Sequence, residues 1–320
     1  MPSMLSRVVR VLAYVGGNNN PELAEKSNKD VVKMLRGAEV LFPVMLPRRG
    51  YKLKKKTIDG VLTDVFSKKK NASENVVFYL HGGAYISHMM FYYRLLYKRF
   101  SKASGGGTVV AHNYRCAPEY KYPAALEDTL KVWDWLLEQG YRPENIILAG
   151  DSAGGNLGFE LMMTLHDAGK PMPRAAVFMS PWLDMTCSGK SYLENYRKDP
   201  VFGNWKSHPK TIEEVQAIMA RGPLYCWVGD HAKDEPIISP IYADFDDTYP
   251  PMFFTAGGIE MLRSDSETIV EKLQKAGVEA NLHVFPGQVH AFPVYQVYPE
   301  AMQALKEIFA FVRTQFDVKN

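Results

Sequence analysis

Short apolar blocks recur along the chain, separated by longer stretches with helical spacing. Val76–Leu80, Thr108–His112, Ile146–Ala149, Ala175–Ser180, Met252–Ala256 and Ala280–Phe285 are the blocks. Most of them are apolar throughout rather than alternating, which predicts strands buried on both faces. Between them, Phe91–Ser104, Tyr122–Gln139, Asn156–Met163, Ser264–Ala276 and Tyr298–Gln315 place apolar residues on one side of a helix. Pro123 opens the second of these, and the Gly105–Gly107 run ends the first. Strand and helix in alternation predict an α/β fold: a mostly parallel central sheet with helices on both faces.

Three stretches break the rhythm. Tyr51–Phe66 alternates like strands, with Asp59-Gly60 as a hairpin turn. Residues 1–48 read as helical, with Val31, Val32, Met34, Leu35, Val40 and Leu41 near helical spacing, until Pro43 and Pro47 stop the pattern. Residues 185–235 hold no strong strand and many aromatic and polar residues, which predicts an insertion of short helices and loops between two sheet strands. The division expected is therefore 1–48 and 185–235 as helical additions to a body of 49–184 and 236–320. No internal repeat or low-complexity tract interrupts it.

Composition narrows the picture. A chain of 320 residues, 46% hydrophobic, builds a sizeable core. The net charge of +3 is small for this length and gives no reason to expect nucleic acid. The basic runs 52–56 and 68–70 fit a solvated surface. No apolar run reaches the length of a membrane span, so no stable membrane insertion is expected. Met4–Val15 is broken by Arg7 and Arg10 and fits an amphipathic helix better than a signal core. Without a secretion signal, Asn71-Ala72-Ser73 carries little weight as a glycosylation site. Three cysteines, Cys116, Cys187 and Cys226, show no metal-like spacing and fit reduced thiols in a cytoplasmic protein.

The chemistry gathers at Gly150-Asp151-Ser152-Ala153-Gly154, a G-x-S-x-G between a buried strand and a helix. A serine on so tight a turn needs neighbours that are nearly free of side chain. The turn lifts the Ser152 hydroxyl out of the sheet, near the positive end of the helix dipole. Acyl transfer by serine also needs a base, a carboxylate to orient it and backbone donors for the oxyanion. His81-Gly82-Gly83-Ala84, after another strand, offers N–H groups, and Ala153 adds one. His290 lies on a loop after the Ala280–Phe285 strand, where a base belongs. The other histidines fit less well: His283 alternates within a strand as a packed residue does, His166 lies on a helix, His208 and His231 lie in the insertion, and His88 and His112 fit surface or core roles. Two carboxylates qualify as the acid after the Met252–Ala256 strand. Glu260 sits on the loop, whereas capping of the next helix accounts for Asp265. Glu260 is chosen; a glutamate is ionised at neutral pH, with a reference pKa of about 4.3. Ser152, Glu260, His290 is the serine–acid–histidine order of α/β-hydrolases.

On these residues the chain resembles the hormone-sensitive-lipase-like family of α/β-hydrolase esterases, which includes bacterial carboxylesterases and arylacetamide deacetylases. His81–Ala84, Asn113–Glu119, Tyr122–Asp128, Gly150–Gly155, Ser180–Asp184 and His290–Phe292 carry the likeness, in the family's order. The resemblance implies an α/β-hydrolase fold and a serine carboxylesterase acting on short- to medium-chain esters. It implies Ser152 as nucleophile, His290 as base, Glu260 as acid, and Gly83, Ala84 and Ala153, with Gly82 as a further candidate, as the oxyanion hole. It implies a cap from residues 1–48 and 185–235, in which Tyr192, Tyr196, Phe202, Trp205, Tyr225 and Trp227 line a pocket or hold the cap to the body. It implies structural roles for Arg115, Glu119 and Asp128, and no metal or cofactor. Homodimers are common among look-alikes, though no segment here defines an interface. Three departures stand out: alanine for glycine at Ala84 and at Ala291, and glutamate for aspartate at Glu260. Two other readings keep the fold: an amide hydrolase or deacetylase with the same triad, and a non-catalytic receptor like the plant gibberellin receptors, which lack the catalytic histidine.

Overall fold

The structure, a computed structural model, describes residues 2–6 and 50–319. The helices expected over 1–48 fall outside the described residues, apart from a helical turn at Met4–Ser6. Eight strands form one sheet: β1 (Tyr51–Ile58), β2 (Val61–Lys68), β3 (Val76–Leu80), β4 (Thr108–Asn113), β5 (Ile146–Asp151), β6 (Ala175–Met179), β7 (Met252–Gly257) and β8 (Ala280–Phe285). Their order across the sheet is β1-β2-β4-β3-β5-β6-β7-β8. β1 and β2 form an antiparallel hairpin and β2 runs antiparallel to β4; every other pairing is parallel. The hairpin turns at Asp59-Gly60, both at positive φ, with Ile58 opposite Val61. The exposed lysines of β1 keep that edge from pairing with another chain.

Residues that alternate along β3 feed two different cores. Val76, Phe78 and Leu80 pack with helices α2 (Ala124–Glu138), α3 (Ala153–Asp167) and α6 (Arg263–Lys275). Val77 and Tyr79 pack with α1 (Tyr93–Ala103) and α7 (Pro299–Gln315) on the other face. Burial on both faces explains why β3, β5 and β6 read as unbroken apolar blocks. At roughly 25 cal/mol per Å² of apolar surface, these two interfaces supply most of the drive to fold.

Between β6 and β7 the chain makes the long excursion that the sequence predicted. It carries α4 (Lys190–Glu194) and α5 (Ile212–Arg221) and no strand. Because β3, β5, β6, β7 and β8 are neighbours and parallel, the loops after their C-terminal ends meet on one rim of the sheet.

Candidate active site

Ser152 follows β5 directly and begins α3 with φ 52 and ψ −122. An L-residue reaches that conformation only under strain. What makes the turn possible is the lack of side chains around it. A Cβ on Gly154 would overlap the carbonyl oxygens of Leu80 and His81, and one on Gly150 would come within 2.6 Å of the Gly154 carbonyl oxygen. Both obstacles are backbone and cannot yield. The Ser152 amide donates to Met179 O at 3.1 Å, which ties the turn to β6.

After β3 the chain passes through Gly83, Ala84 and Tyr85 at φ 119, 55 and 58. Among the described residues, the N–H groups of Gly83, Ala84 and Ala153 make no hydrogen bond. The Gly82 N–H differs from the expectation. It donates to Asp151 Oδ1 at 3.2 Å, so it braces the loop and is not open to an oxyanion. Asp151 also accepts from Tyr79 Oη at 2.8 Å and Tyr93 Oη at 3.0 Å. Burial raises its pKa to about 6 against these hydrogen bonds and the nearby His290 charge, which oppose the rise. Sequence reasoning gave Asp151 no role beyond its place in the motif. Its side chain ties the glycine loop to the serine turn.

His81 is fully buried, stacked on Tyr114 at 4.1 Å, with Nδ1 2.7 Å from Gly82 O. Burial pushes its pKa down to about 3, so it is neutral at working pH.

A histidine–glutamate pair comes from the loops after β7 and β8. His290 Nδ1 lies 3.0 Å from Glu260 Oε2, with Glu260 fully buried and His290 nearly so. Glu260 Oε1 accepts from Gly257 N at 2.9 Å, which fixes the carboxylate. A carboxylate on Nδ1 selects the tautomer with hydrogen there and leaves Nε2 as the basic nitrogen. Asp265 is elsewhere: its Oδ2 accepts from Leu183 N, Asp184 N and Tyr192 Oη at 2.9, 3.0 and 3.1 Å. The glutamate, not the aspartate, thus meets the histidine. Ser180, just after β6, holds the base loop: its Oγ accepts from Ala291 N at 3.0 Å, while its own N–H donates to Thr255 O at 2.7 Å.

Ala84 and Ala291, the two alanine-for-glycine departures, both have positive φ, 55 and 48. Glycine would sit there without strain; alanine costs about 1 kcal/mol at each. Ser152, Ser180 and Tyr85 share this region of backbone space. Strain is thereby concentrated on the rim that carries the site.

The remaining histidines stand away from this pair. His112 is buried against Thr129 Oγ1 at 2.9 Å, and His166 faces Asp246 at 3.0 Å. His283 corrects the expectation of a packed residue. β8 is an edge strand, so its side chain is 44% exposed and pairs with Glu307 at 2.6 Å. His88 lines a cavity of about 520 Å³ with Asp59, Tyr114, Arg115, Glu119 and Lys131. Arg115 Nε donates to both oxygens of Asp128 at 3.0 Å, in keeping with the structural roles expected of both. Of the aromatic residues in the excursion, Phe202 alone among the six has a ring contact with His290, edge-on at 4.7 Å. Trp227 stacks on Tyr85 at 4.0 Å, Tyr192 and Tyr225 are buried in hydrogen bonds, and Trp205 is half exposed.

A strained serine after β5, a histidine–glutamate pair after β7 and β8 and open amides after β3 are the parts that serine hydrolysis calls for. The chain belongs to the α/β-hydrolase fold family, whose model matches residues 77–294. Within it, the chain is a hormone-sensitive-lipase-like esterase. It is 32% identical to an acetyl-hydrolase of Streptomyces hygroscopicus over 237 residues, 74% of each chain. It is 32% identical to an esterase of Acinetobacter venetianus over 246 residues, 76% of each. The crystal structure of an esterase from the bacterial hormone-sensitive lipase family superposes with a TM-score of 0.82 at 29% identity, covering 99% of this chain and 100% of that one. Among the described residues, no helix is long and apolar enough to cross a membrane.

Proposed function

We propose that the protein hydrolyses short- to medium-chain carboxylic esters through an acyl-Ser152 intermediate. The observation that carries the roles is the 3.0 Å contact of His290 Nδ1 with Glu260, which leaves Nε2 as the base. His290 takes the Ser152 proton as Oγ attacks the ester carbonyl carbon. The oxyanion is met by the N–H groups of Gly83, Ala84 and Ala153, each worth about 10² to 10³ in rate. Collapse expels the alcohol, which receives the proton from His290. Water, deprotonated by His290, then attacks the acyl-serine, and the carboxylic acid leaves as Ser152 regains its proton. None of these steps calls for a metal or cofactor.

The relative named acetyl-hydrolase supports a small acyl group. We assign residues 185–235 as a cap on a catalytic body of 49–184 and 236–320; the cap segment expected over 1–48 lies outside the described residues. Support comes from Phe202 against the His290 ring. A cytoplasmic location fits three cysteines with no disulfide among them, and a homodimer is the assembly we expect from the resemblance.

Hydrolysis of p-nitrophenyl esters from acetate to dodecanoate tests the reading, with wild type and Ser152→Ala side by side. Turnover should be fastest on the shorter chains and fall by about 10⁵ to 10⁶ in the variant. Turnover that survives Ser152→Ala in folded protein overturns the nucleophile. Better cleavage of acetanilides than of acetate esters would make the protein an amidase.

A further inference from the structure

Three side chains of the excursion lie four residues apart and all grip the loop that carries Glu260. Ser191 begins the row in α4: its Oγ donates to Met261 O at 2.5 Å and accepts from Ser264 N at 2.8 Å. Asn195 follows at the end of that helix, and its Nδ2 donates to Glu260 O at 2.9 Å and Gly258 O at 3.3 Å. Asp199 is the third, with Oδ2 accepting from Met261 N at 2.7 Å and Oδ1 from Val201 N at 2.7 Å. All three are buried, at 0, 1 and 1% exposure. The backbone is thus held on both sides of the Glu260 side chain, at its own carbonyl and at the next amide. Phe202, three residues beyond Asp199, closes onto the imidazole at 4.7 Å.

The choice of a carboxylate at 199 is the informative part. A buried charge costs several kcal/mol, and here both carboxylate oxygens accept backbone N–H groups, which an amide with one acceptor oxygen cannot match. Burial raises the Asp199 pKa to about 6, while the Met261 N–H and the charge of His290 favour its ionised form and the Glu260 charge opposes it. The interaction is reciprocal, so an ionised Asp199 stabilises the imidazolium that forms when His290 takes a proton. We propose that Asp199 is a positioning residue of the esterase site, holding the Glu260 loop in register with His290 and adding to the negative charge around the imidazole. The excursion would then be part of the acid–base apparatus as well as a cover. This rests on the assignment of His290 and Glu260 as base and acid.

The groups that face His290 are Glu260 on its Nδ1, Asp151 on the serine turn and Asp199 on the excursion. Asp199 is faced by the same pair and by Tyr295, with Lys198 preceding it in the chain. Steady-state hydrolysis of p-nitrophenyl acetate across pH, for Asp199→Asn, Asn195→Ala and Ser152→Ala, provides the test. Asp199→Asn should lower kcat by about 10- to 100-fold, the scale of a small misplacement of a reacting group, with KM within about twofold. The acidic limb of kcat/KM should move to lower pH, because a negative charge beside the imidazole is gone. A purely structural role would lower the folded fraction and leave kcat per folded molecule and the limb in place; that result overturns the proposal. If Asp199→Asn does not fold, Asn195→Ala carries the test, with an expected loss in kcat of about 3- to 10-fold; an unchanged kcat overturns it. Residual turnover in Ser152→Ala would instead overturn the serine mechanism, whatever Asp199 does.

Discussion

At the serine turn, β5 runs into α3 through Gly150–Gly154, and the constraint is steric: backbone passes so close to backbone that no Cβ fits at Gly154. At the acid–base corner, Glu260 is held by groups far away in sequence: His290, thirty residues on, Asn195, sixty-five residues back, and the neighbouring amide fixed by Asp199. One corner is made by the absence of side chains, the other by polar side chains that converge from three segments. The first tolerates no added atom. The second depends on charge and hydrogen bonds, and its failures should show in rate before they show in stability.

The largest effect that separates the two corners is expected from Glu260→Gln against Asp265→Asn. Loss of the carboxylate on Nδ1 leaves the imidazole geometry and removes its preferred tautomer, a change worth about 10⁴ in kcat in serine hydrolases. Asp265 binds Leu183 N, Asp184 N and Tyr192 Oη, none of them at the base. Asp265→Asn should keep kcat within about threefold and lower the melting temperature through those bonds. Stopped assays on ester, paired with thermal melts, distinguish them. Equal losses of rate would mean that the acid is shared, and the two-corner contrast would fail.

That contrast also explains what the sequence disclosed. The strand blocks, the Asp59-Gly60 hairpin and the serine turn each impose a residue type on a short stretch, apolar blocks for burial on both faces and small residues for the turns, so composition and spacing carry them even where the contacts are distant, as those of Gly154 with Leu80 and His81 are. The meeting of Glu260 with His290 was legible because each lies on a loop after a late strand; the grip of Asn195 and Asp199 on the Glu260 backbone was not. Asp199 had no spacing signal of its own, although Ser191, Asn195 and Asp199 recur at one helical interval. Asp151 and Gly82 were both seen within motifs, yet only the fold shows that the aspartate takes up the Gly82 amide. Hydrogen bonds between segments distant in sequence leave no local pattern, whereas a steric demand for glycine does.

A smaller effect sharpens the steric side. Gly154→Ala places a methyl against two carbonyl oxygens that belong to the sheet rim. With no flexible side chain to move, overpacking should cost about 3 kcal/mol or more of unfolding free energy, measured in urea. Gly169→Ala is the control: it has positive φ but open space, and its cost should stay near about 1 kcal/mol. Similar costs at the two positions would mean that backbone strain and not contact governs the turn.

The smallest effect concerns a charge that neither corner uses. Glu160 on α3 is fully buried, and its Oε1 accepts from Tyr85 Oη at 2.5 Å. Its Oε2 has no hydrogen-bond partner among the described residues. Tyr122 and Asn156 stand nearby, and a small cavity shared with Arg115 and Lys121 adjoins it. Burial raises its pKa from 4.5 to about 8, against the Tyr85 hydrogen bond that favours the ionised form. The folded protein therefore keeps a proton between about pH 4.5 and 8 that the unfolded chain releases. More protons bound in the folded state means that stability falls as pH rises across that window and levels off above it. Glu160→Gln keeps an acceptor for Tyr85 and removes the titration. Its melting temperature should match wild type near pH 4.5 and exceed it by about 2 °C or more at pH 8.5, while ester turnover at pH 7 is unchanged. Parallel melting curves across the whole range would mean that Glu160 is already ionised in the folded protein, and that charge can enter the helix behind the serine without loss.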